Sequence, residues 1–271
     1  MINKIFKQKE INLSNGKKIK EPISKTPFIV IGLVILVFIA MQITDFSFAT
    51  LLKRGEKFFG MIKDMFPPDF NYIKPIWTQL LDTIKMSLLG SVVGCVIAIP
   101  FAILSASNIN GNKYTLTIVR FFSSVIRTLP TLIIAIIATF IFDVGTFAGT
   151  VAISIFTFGI VAKMLYEKIE TIDMGPFESM EAVGATKLQA FIGAVVPQIL
   201  PTYLSVCLYS FEINVRYAAI LGYVGAGGIG IILNEKIGWR EYDRVGMILL
   251  MLFITVISIE YLSKFIRERL S

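Results

Sequence analysis

The chain contains no histidine. That removes the commonest metal ligand and the side chain that titrates near neutrality, and with them most hydrolytic and proton-shuttling chemistries. Only two cysteines occur, Cys95 and Cys207, each inside an apolar run. They read as small packing residues rather than as a disulfide or a metal set, so neither a metal nor a cofactor is expected. Charge is scarce as well. Of 271 residues 17% are charged against 55% hydrophobic, and the mean hydropathy is +0.74. Thr26–Thr44, Met86–Asn112, Val144–Ala162 and Leu188–Phe211 carry no charge at all. About 20 residues of helix cross a hydrocarbon core, so charge-free windows of roughly 18 or more read as membrane spans. A soluble core helix is shorter and keeps a polar face. A last absence concerns energy. No G-x-x-x-x-G-K-[ST] phosphate loop occurs, so the chain is not expected to hydrolyse ATP, and an ATP-driven step belongs to another polypeptide.

The charge that is present is informative by position. The net charge of +7 comes with a lysine-rich start, Lys4, Lys7, Lys9, Lys17, Lys18, Lys20 and Lys25 against Glu10 and Glu21. A basic segment before a first span is an orientation signal that keeps it in the cytoplasm, which explains the excess without nucleic acid. A secretory signal peptide is the rival, but no A-x-A-like cleavage site follows the apolar run. The expected organisation is an all-α integral membrane protein in three parts. Residues 1–27 form a basic cytoplasmic tail, 28–79 a first span with an external loop, and 80–271 a core that includes a cytoplasmic loop at 167–197.

Spans are expected at about 28–45, 80–106 with a kink at Pro100, 128–143, 146–165, 198–214 and 245–262. Residues 46–78 read as a mixed segment broken at Phe66-Pro67-Pro68, and Tyr114–Arg127 as an interfacial stretch carrying Arg120 and Arg127. Lys264, Arg267 and Arg269 favour a cytoplasmic carboxy terminus. Six spans in the cell membrane with both termini inside is the expectation; five or seven stays open.

Gly225, Gly227 and Gly230 in YVGAGGIGII fit the G-x-G-x-x-G pattern. A dinucleotide turn needs a strand before it and a βαβ unit around it. Here the glycines sit between hydrophobic helices, so the segment Tyr217–Asn234, with Gly222 and Gly228 as well, reads as close helix packing or a pathway-lining re-entrant turn. Glu212 and Arg216 lie four residues apart. They either pair with each other or attract an anion, since a charge in the bilayer pairs or faces a cavity.

In Asp173–Pro197, Pro176 suits a first helical turn, Glu178 and Glu181 the positive end of the helix, Gly184 its stop, and Thr186 the cap of a second helix. The loop resembles the coupling segment of type I ABC importer permeases, E-A-A, three residues, G, nine residues, I-x-L-P. Glu178-Ser179-Met180, Gly184 and Ala194-Val195-Val196-Pro197 take those places, with Ser179, Met180, Ala194 and Val196 departing from the usual fillers. Phe211, Glu212, Asn214, Val215 and Arg216, followed by Gly222, Val224 and the glycines to Gly230, are similar to F-E-x-N-V-R and G-x-V-G-A-G-G-I-G of phosphonate importer permeases. Arg127–Ile137 resembles a core helix of the same family.

The resemblance implies that Glu178, Glu181, Ala182, Gly184, Ala185 and Pro197 couple the chain to a cytoplasmic ABC ATPase. It also implies a homodimer in the bilayer, a solute-binding protein outside, and a phosphonate or phosphite as cargo. Another small solute such as methionine is the alternative, and a secondary transporter a more distant one.

Overall fold

The computed structural model describes residues 10–12, 18–20 and 25–270. Much of the expected basic tail, including Lys4, Lys7, Lys9 and Lys17, lies outside the described residues. Two compact units divide between Gly60 and Met61. The first holds a short antiparallel ladder, β1 (Glu10–Asn12) against β2 (Lys18–Lys20), with Ile11 opposite Ile19. It continues into α1 (Thr26–Ile43) and most of α2 (Phe48–Asp64). α1 is apolar all round, as a helix solvated by lipid must be.

The second unit is helical. A short 3₁₀ turn, Phe70–Tyr72, leads into α3 (Ile73–Ser105), followed by α4 (Lys113–Thr128), α5 (Thr131–Phe142) and α6 (Thr146–Thr171). Two short helices, α7 (Gly175–Ala182) and α8 (Lys187–Ala190), precede a π turn at Phe191–Val195. The long α9 (Val196–Leu221), α10 (Ile229–Gly238) and α11 (Tyr242–Arg267) complete the chain.

α3 and α6 form the centre, and small residues let them touch. A Cβ on Gly90 would lie 2.6 Å from Ile153 Cγ2, and one on Gly94 2.5 Å from the Ser154 carbonyl oxygen. This is the small-xxx-small spacing by which helices approach closely in lipid, where no hydrophobic force drives them together. Ala98 and Ala102 continue the same buried stripe. α3 runs through Pro100 without ending.

Among the described residues five helices are long and apolar enough to cross a membrane, or six when α4 and α5, bent by 91° at Leu129-Pro130, count as one broken span. That agrees with the six expected. Three boundaries are corrected. Residues 46–78 are not simply mixed, because α2 and the first turns of α3 occupy most of them. α3 starts seven residues before the expected 80, since Lys74, Asp82 and Lys85 sit on exposed or half-buried positions that cost the helix little. α9 runs past 214 to Leu221 because Glu212 and Arg216 find partners within the protein.

Candidate functional site

The loop between α6 and α9 is built from local rules. Asp173 Oδ1 accepts from the Gly175 amide (2.9 Å), turning the chain into α7, and Pro176 occupies its first turn. α7 closes in a paired-bond stop: the Ala185 amide donates to the Met180 carbonyl and the Gly184 amide to the Glu181 carbonyl, both at 3.0 Å. That geometry needs a left-handed residue after the cap, and Gly184 supplies it at φ +93°. Thr186 then starts α8 with a capping box, its amide donating to Gln189 Oε1 (2.9 Å) and its hydroxyl accepting from the Gln189 amide (3.4 Å).

Phe177 fastens this pair of helices to the bundle. It is 8% exposed and packs in one cluster with Ala102, Leu165, Ile169, Ala194 and Ile199. Gln198 Nε2 donates to the Asp173 carbonyl (3.1 Å), tying the two roots of the loop together. The tip is left outside. Val183 is 86% exposed, Glu178, Ala182, Gly184 and Pro197 are exposed, and Glu181 and Ala185 are half-buried. The result is a firmly rooted knob with an apolar point and an acidic edge.

A polar knot beside the loop escaped sequence reasoning. Glu170 at the end of α6 accepts from the Ser107 amide (2.8 Å) and pairs with Arg120 of α4. Arg120 Nε also donates to the Ser105 carbonyl (2.8 Å), and its guanidinium lies 4.9 Å from the Tyr166 ring centroid. Asn108 Nδ2 donates to the Ile169 carbonyl (2.7 Å). The ends of α3, α4 and α6 are thereby clamped where the knob is rooted. Arg127 is exposed, beside Gly159 of α6.

The structure brings Glu212, Asn214 and Arg216 together only along α9; they do different things. Glu212, 5% exposed, accepts from Arg216 Nη2 (2.6 Å) and from Arg267 Nη2 of α11 (3.3 Å). Arg216 also donates to Glu260 Oε2 (2.9 Å). Two acids and two bases thus form a neutral chain joining α9 to α11. Arg267 and Glu260 are the members that sequence reasoning missed. Asn214 points elsewhere: its Nδ2 donates to Ser91 Oγ of α3 (2.8 Å) and Thr157 Oγ1 of α6 (2.7 Å), binding three helices at one buried point.

Replacing Glu212 by Gln is expected to lower stability more than replacing Glu260, because it strands the Arg267 and Arg216 contacts beside a buried position, whereas the Glu260 carboxylate is exposed. Losing one partner of a buried pair costs about 3–5 kcal/mol and of an exposed pair about 0–1 kcal/mol. Thermal unfolding of the two purified variants compares them. Equal losses contradict the assignment of Glu212 as the buried anchor.

The glycine-rich stretch is a tight turn, not a cofactor loop. Gly225, Gly227 and Gly228 have φ of +77°, +85° and +73°, and α9 passes through a 3₁₀ turn (Gly222–Val224) into the reversed α10. The turn is pressed on its neighbours. A Cβ on Gly227 would meet the Thr146 backbone at 2.7 Å, and the Gly145 amide donates to the Gly225 carbonyl (2.9 Å). Thr83 Oγ1 accepts from the Ile229 amide (2.7 Å), satisfying a helix-start donor.

Between α3 and α9 lies an apolar cavity of about 390 Å³, lined by Ser91, Cys95, Tyr203, Cys207 and Phe211 among others. None of its lining residues is charged.

At the opposite face from the knob, Lys236 bonds Glu235 (2.9 Å) and lies 3.2 Å from Glu241. Arg244 bonds Glu241 (2.7 Å) and lies 3.6 Å from Asp69. The hydrogen bond from Lys236, and then that from Arg244, hold the Glu241 carboxyl below its ordinary range. A depressed folded-state pKa adds stability that is present above the unfolded value and is lost as pH falls through the folded one. The protection of the amides around 236–244, taken relative to their intrinsic exchange rates, is therefore expected to fall as pH drops below about 4.3, the ordinary glutamate value, and Glu241→Gln should remove the step. An unchanged step in that variant would place its origin in another group.

The profile of the family described as binding-protein-dependent transport system inner membrane component matches residues 98–271. A phosphate-import permease protein, PhnE, of Mycolicibacterium smegmatis is 32% identical over 243 residues, or 89% of this chain; the chain spans 45% of that relative's length. A phosphite transport system permease protein, PtxC, of Stutzerimonas stutzeri is 31% identical over 240 residues, 89% of this chain and 86% of its own length. A putative cryptic phosphonate transport system permease protein, PhnE2, of Escherichia coli is 39% identical over 117 residues, 43% of this chain and 96% of its own. Among solved structures, a chain of the MetNI methionine ABC transporter in an inward-facing conformation superposes with a TM-score of 0.66 at 23% identity, over 75% of this chain and 99% of that one. The chain belongs to the binding-protein-dependent transport system inner membrane components, and it is a multi-pass permease subunit of an ABC importer rather than an enzyme.

Proposed function

We propose that the chain forms the membrane pathway for a phosphorus oxyanion, a phosphonate or phosphite, in an importer driven by a separate ABC ATPase. The observation that carries the coupling half is the rooted knob, with its Phe177 key, capped helices and exposed Val183 and Glu178. Because Phe177 shares one core with the ends of α3, α6 and α9, a push on α7 moves those helices as a body, which is how packed elements switch between two arrangements. Relatives named for phosphate, phosphite and phosphonate transport support the cargo class.

With six crossings both termini lie on the knob's side. The lysine-rich start and Lys264, Arg267 and Arg269 mark that side as cytoplasmic. The ATPase docks there, a solute-binding protein delivers cargo at the opposite face, and two copies of this chain enclose the pathway. Arg216, 44% exposed and shared between two carboxylates, is the candidate anion contact. An incoming oxyanion competes with Glu260 for it and is released when the pair re-forms.

The test is ATP hydrolysis by the chain reconstituted in lipid with its ATPase and binding protein, against methylphosphonate, 2-aminoethylphosphonate, phosphite, phosphate and methionine. Stimulation by a phosphorus oxyanion is expected. Stimulation by methionine alone keeps the architecture and moves the substrate. Failure to assemble with any ABC ATPase overturns the coupling role.

A further inference from the structure

α2 is amphipathic, with an exposed apolar face. Phe48, Leu51, Leu52, Gly55, Phe59 and Ile62 follow one another at three- and four-residue steps and share one face, with Phe58 at its margin. Leu52 is 78% and Phe59 70% exposed. The opposite face carries Lys53, Arg54 and Lys57 with Glu56.

Both ends of α2 run into helices long and apolar enough to cross a membrane. α1 stops at Ile43 with Asp45 left-handed (φ 50°) and the Phe46 amide returned to the Met41 carbonyl (3.0 Å). Ser47 then starts α2 at once, its hydroxyl accepting from the Thr50 amide (3.3 Å). Only Thr44–Ser47 separate the span from the helix, a reach of at most about 14 Å. At the other end Met65–Asp69 lead to the 3₁₀ turn and α3, another span. A helix of 17 residues is about 25 Å long, and with both ends tied to spans it cannot leave the surface. The far end of α3, at Ala102 and Ala106, packs with Phe177, so the end of α3 that the chain enters after α2 is the one away from the knob.

We propose that α2 is an interfacial helix. It lies in the plane of the leaflet at that end of α3 with Phe48, Leu52 and Phe59 among the acyl chains, and Lys53, Arg54 and Lys57 face the headgroups of anionic lipid. The occupant is the bilayer because lipid is what the two tethers bring to the apolar face, and because a basic polar face complements anionic headgroups. The proposal rests on the span assignment and not on the cargo.

The experiment is a depth scan of the full chain in vesicles. Single cysteines at Leu52, Lys53, Lys57 and Phe59, in a Cys95→Ala, Cys207→Ala background, are spin-labelled and relaxed with oxygen or with an aqueous nickel complex. Labels at 52 and 59 are expected to be several-fold more accessible to oxygen, and those at 53 and 57 to nickel. Adding phosphatidylglycerol to phosphatidylcholine is expected to deepen position 59, and Lys53→Gln with Arg54→Gln and Lys57→Gln to abolish that shift. Equal nickel access at all four sites puts the helix in water, and access to neither reagent at 52 and 59 puts protein over it; either overturns the proposal. A depth indifferent to lipid charge overturns the headgroup assignment. If the cysteine-free background fails to insert, brominated-lipid quenching of Phe59→Trp against Lys57→Trp decides in its place. Stronger quenching at 59 supports the proposal, and equal quenching overturns it.

Discussion

Glu178→Lys is expected to abolish co-purification of the ATPase while the permease itself inserts and unfolds like the parent. Glu178 is exposed and makes its favourable contact with the first turn of α7. Removing that contact costs the helix about 0.3–1 kcal/mol, too little to unroot a loop keyed by Phe177. A reversed charge at a desolvated interface costs about 2–5 kcal/mol, roughly 30- to 5,000-fold in affinity. Assembly should therefore fail long before folding does.

Gly184 separates two ways of failing. Its φ of +93° strains any side chain, yet an added Cβ would meet nothing within 4 Å. Gly184→Ala thus carries only the strain of the turn, about 1–2 kcal/mol, while Gly184→Trp adds bulk at the tip proposed to dock. Loss of the ATPase with Trp but retention with Ala assigns the position to the interface; equal loss assigns it to the bend. Full ATPase content and parental transport in both Glu178→Lys and Gly184→Trp would sink the docking assignment.

The second large effect is at the glycine turn. Gly230→Ala and Gly222→Ala are each expected to eliminate folded permease. The added Cβ would sit 2.1 Å from the Ala219 carbonyl oxygen in the first case and 2.2 Å from the Gly230 carbonyl carbon in the second. Those neighbours are backbone, so no rotamer relieves the clash, and α9 must part from α10. Ordinary overpacking costs about 1–3 kcal/mol; a backbone clash without relief belongs above it. Gly238→Ala is the control, since nothing lies within 4 Å of its Cβ and a helical alanine is favoured over glycine by about 1 kcal/mol. Size-exclusion profiles and thermal unfolding in detergent compare the three. A Gly230→Ala permease that elutes and melts like the parent would falsify the packing account.

Local chemistry was legible without coordinates. Lipid is a uniform solvent, so absence of charge located the spans. Pro176, Gly184 and Thr186 delimited α7 and α8 because caps and left-handed stops act within five residues. α2 was legible in principle, its apolar residues falling at helical steps, but Pro67-Pro68 beside it made the region read as broken.

The rest depended on how helices rotate and slide against each other, which no local pattern specifies. Glu212 with Arg267, Arg216 with Glu260, and Arg120 with Glu170 are pairs separated by 55, 44 and 50 residues. Asn214 was named from a motif, but only packing shows that it ties Ser91 to Thr157 rather than facing the charges beside it in sequence. The glycines were visible as a pattern that also fits a nucleotide turn. Their actual purpose is contact with Thr146, Ala219 and Thr83, and it is set by backbone meeting backbone. Composition and short-range rules thus determined that this chain spans a membrane and where it turns. Tertiary structure alone decided which charges neutralise each other and which helices the turns lock, because those depend on distances between segments that are far apart along the chain.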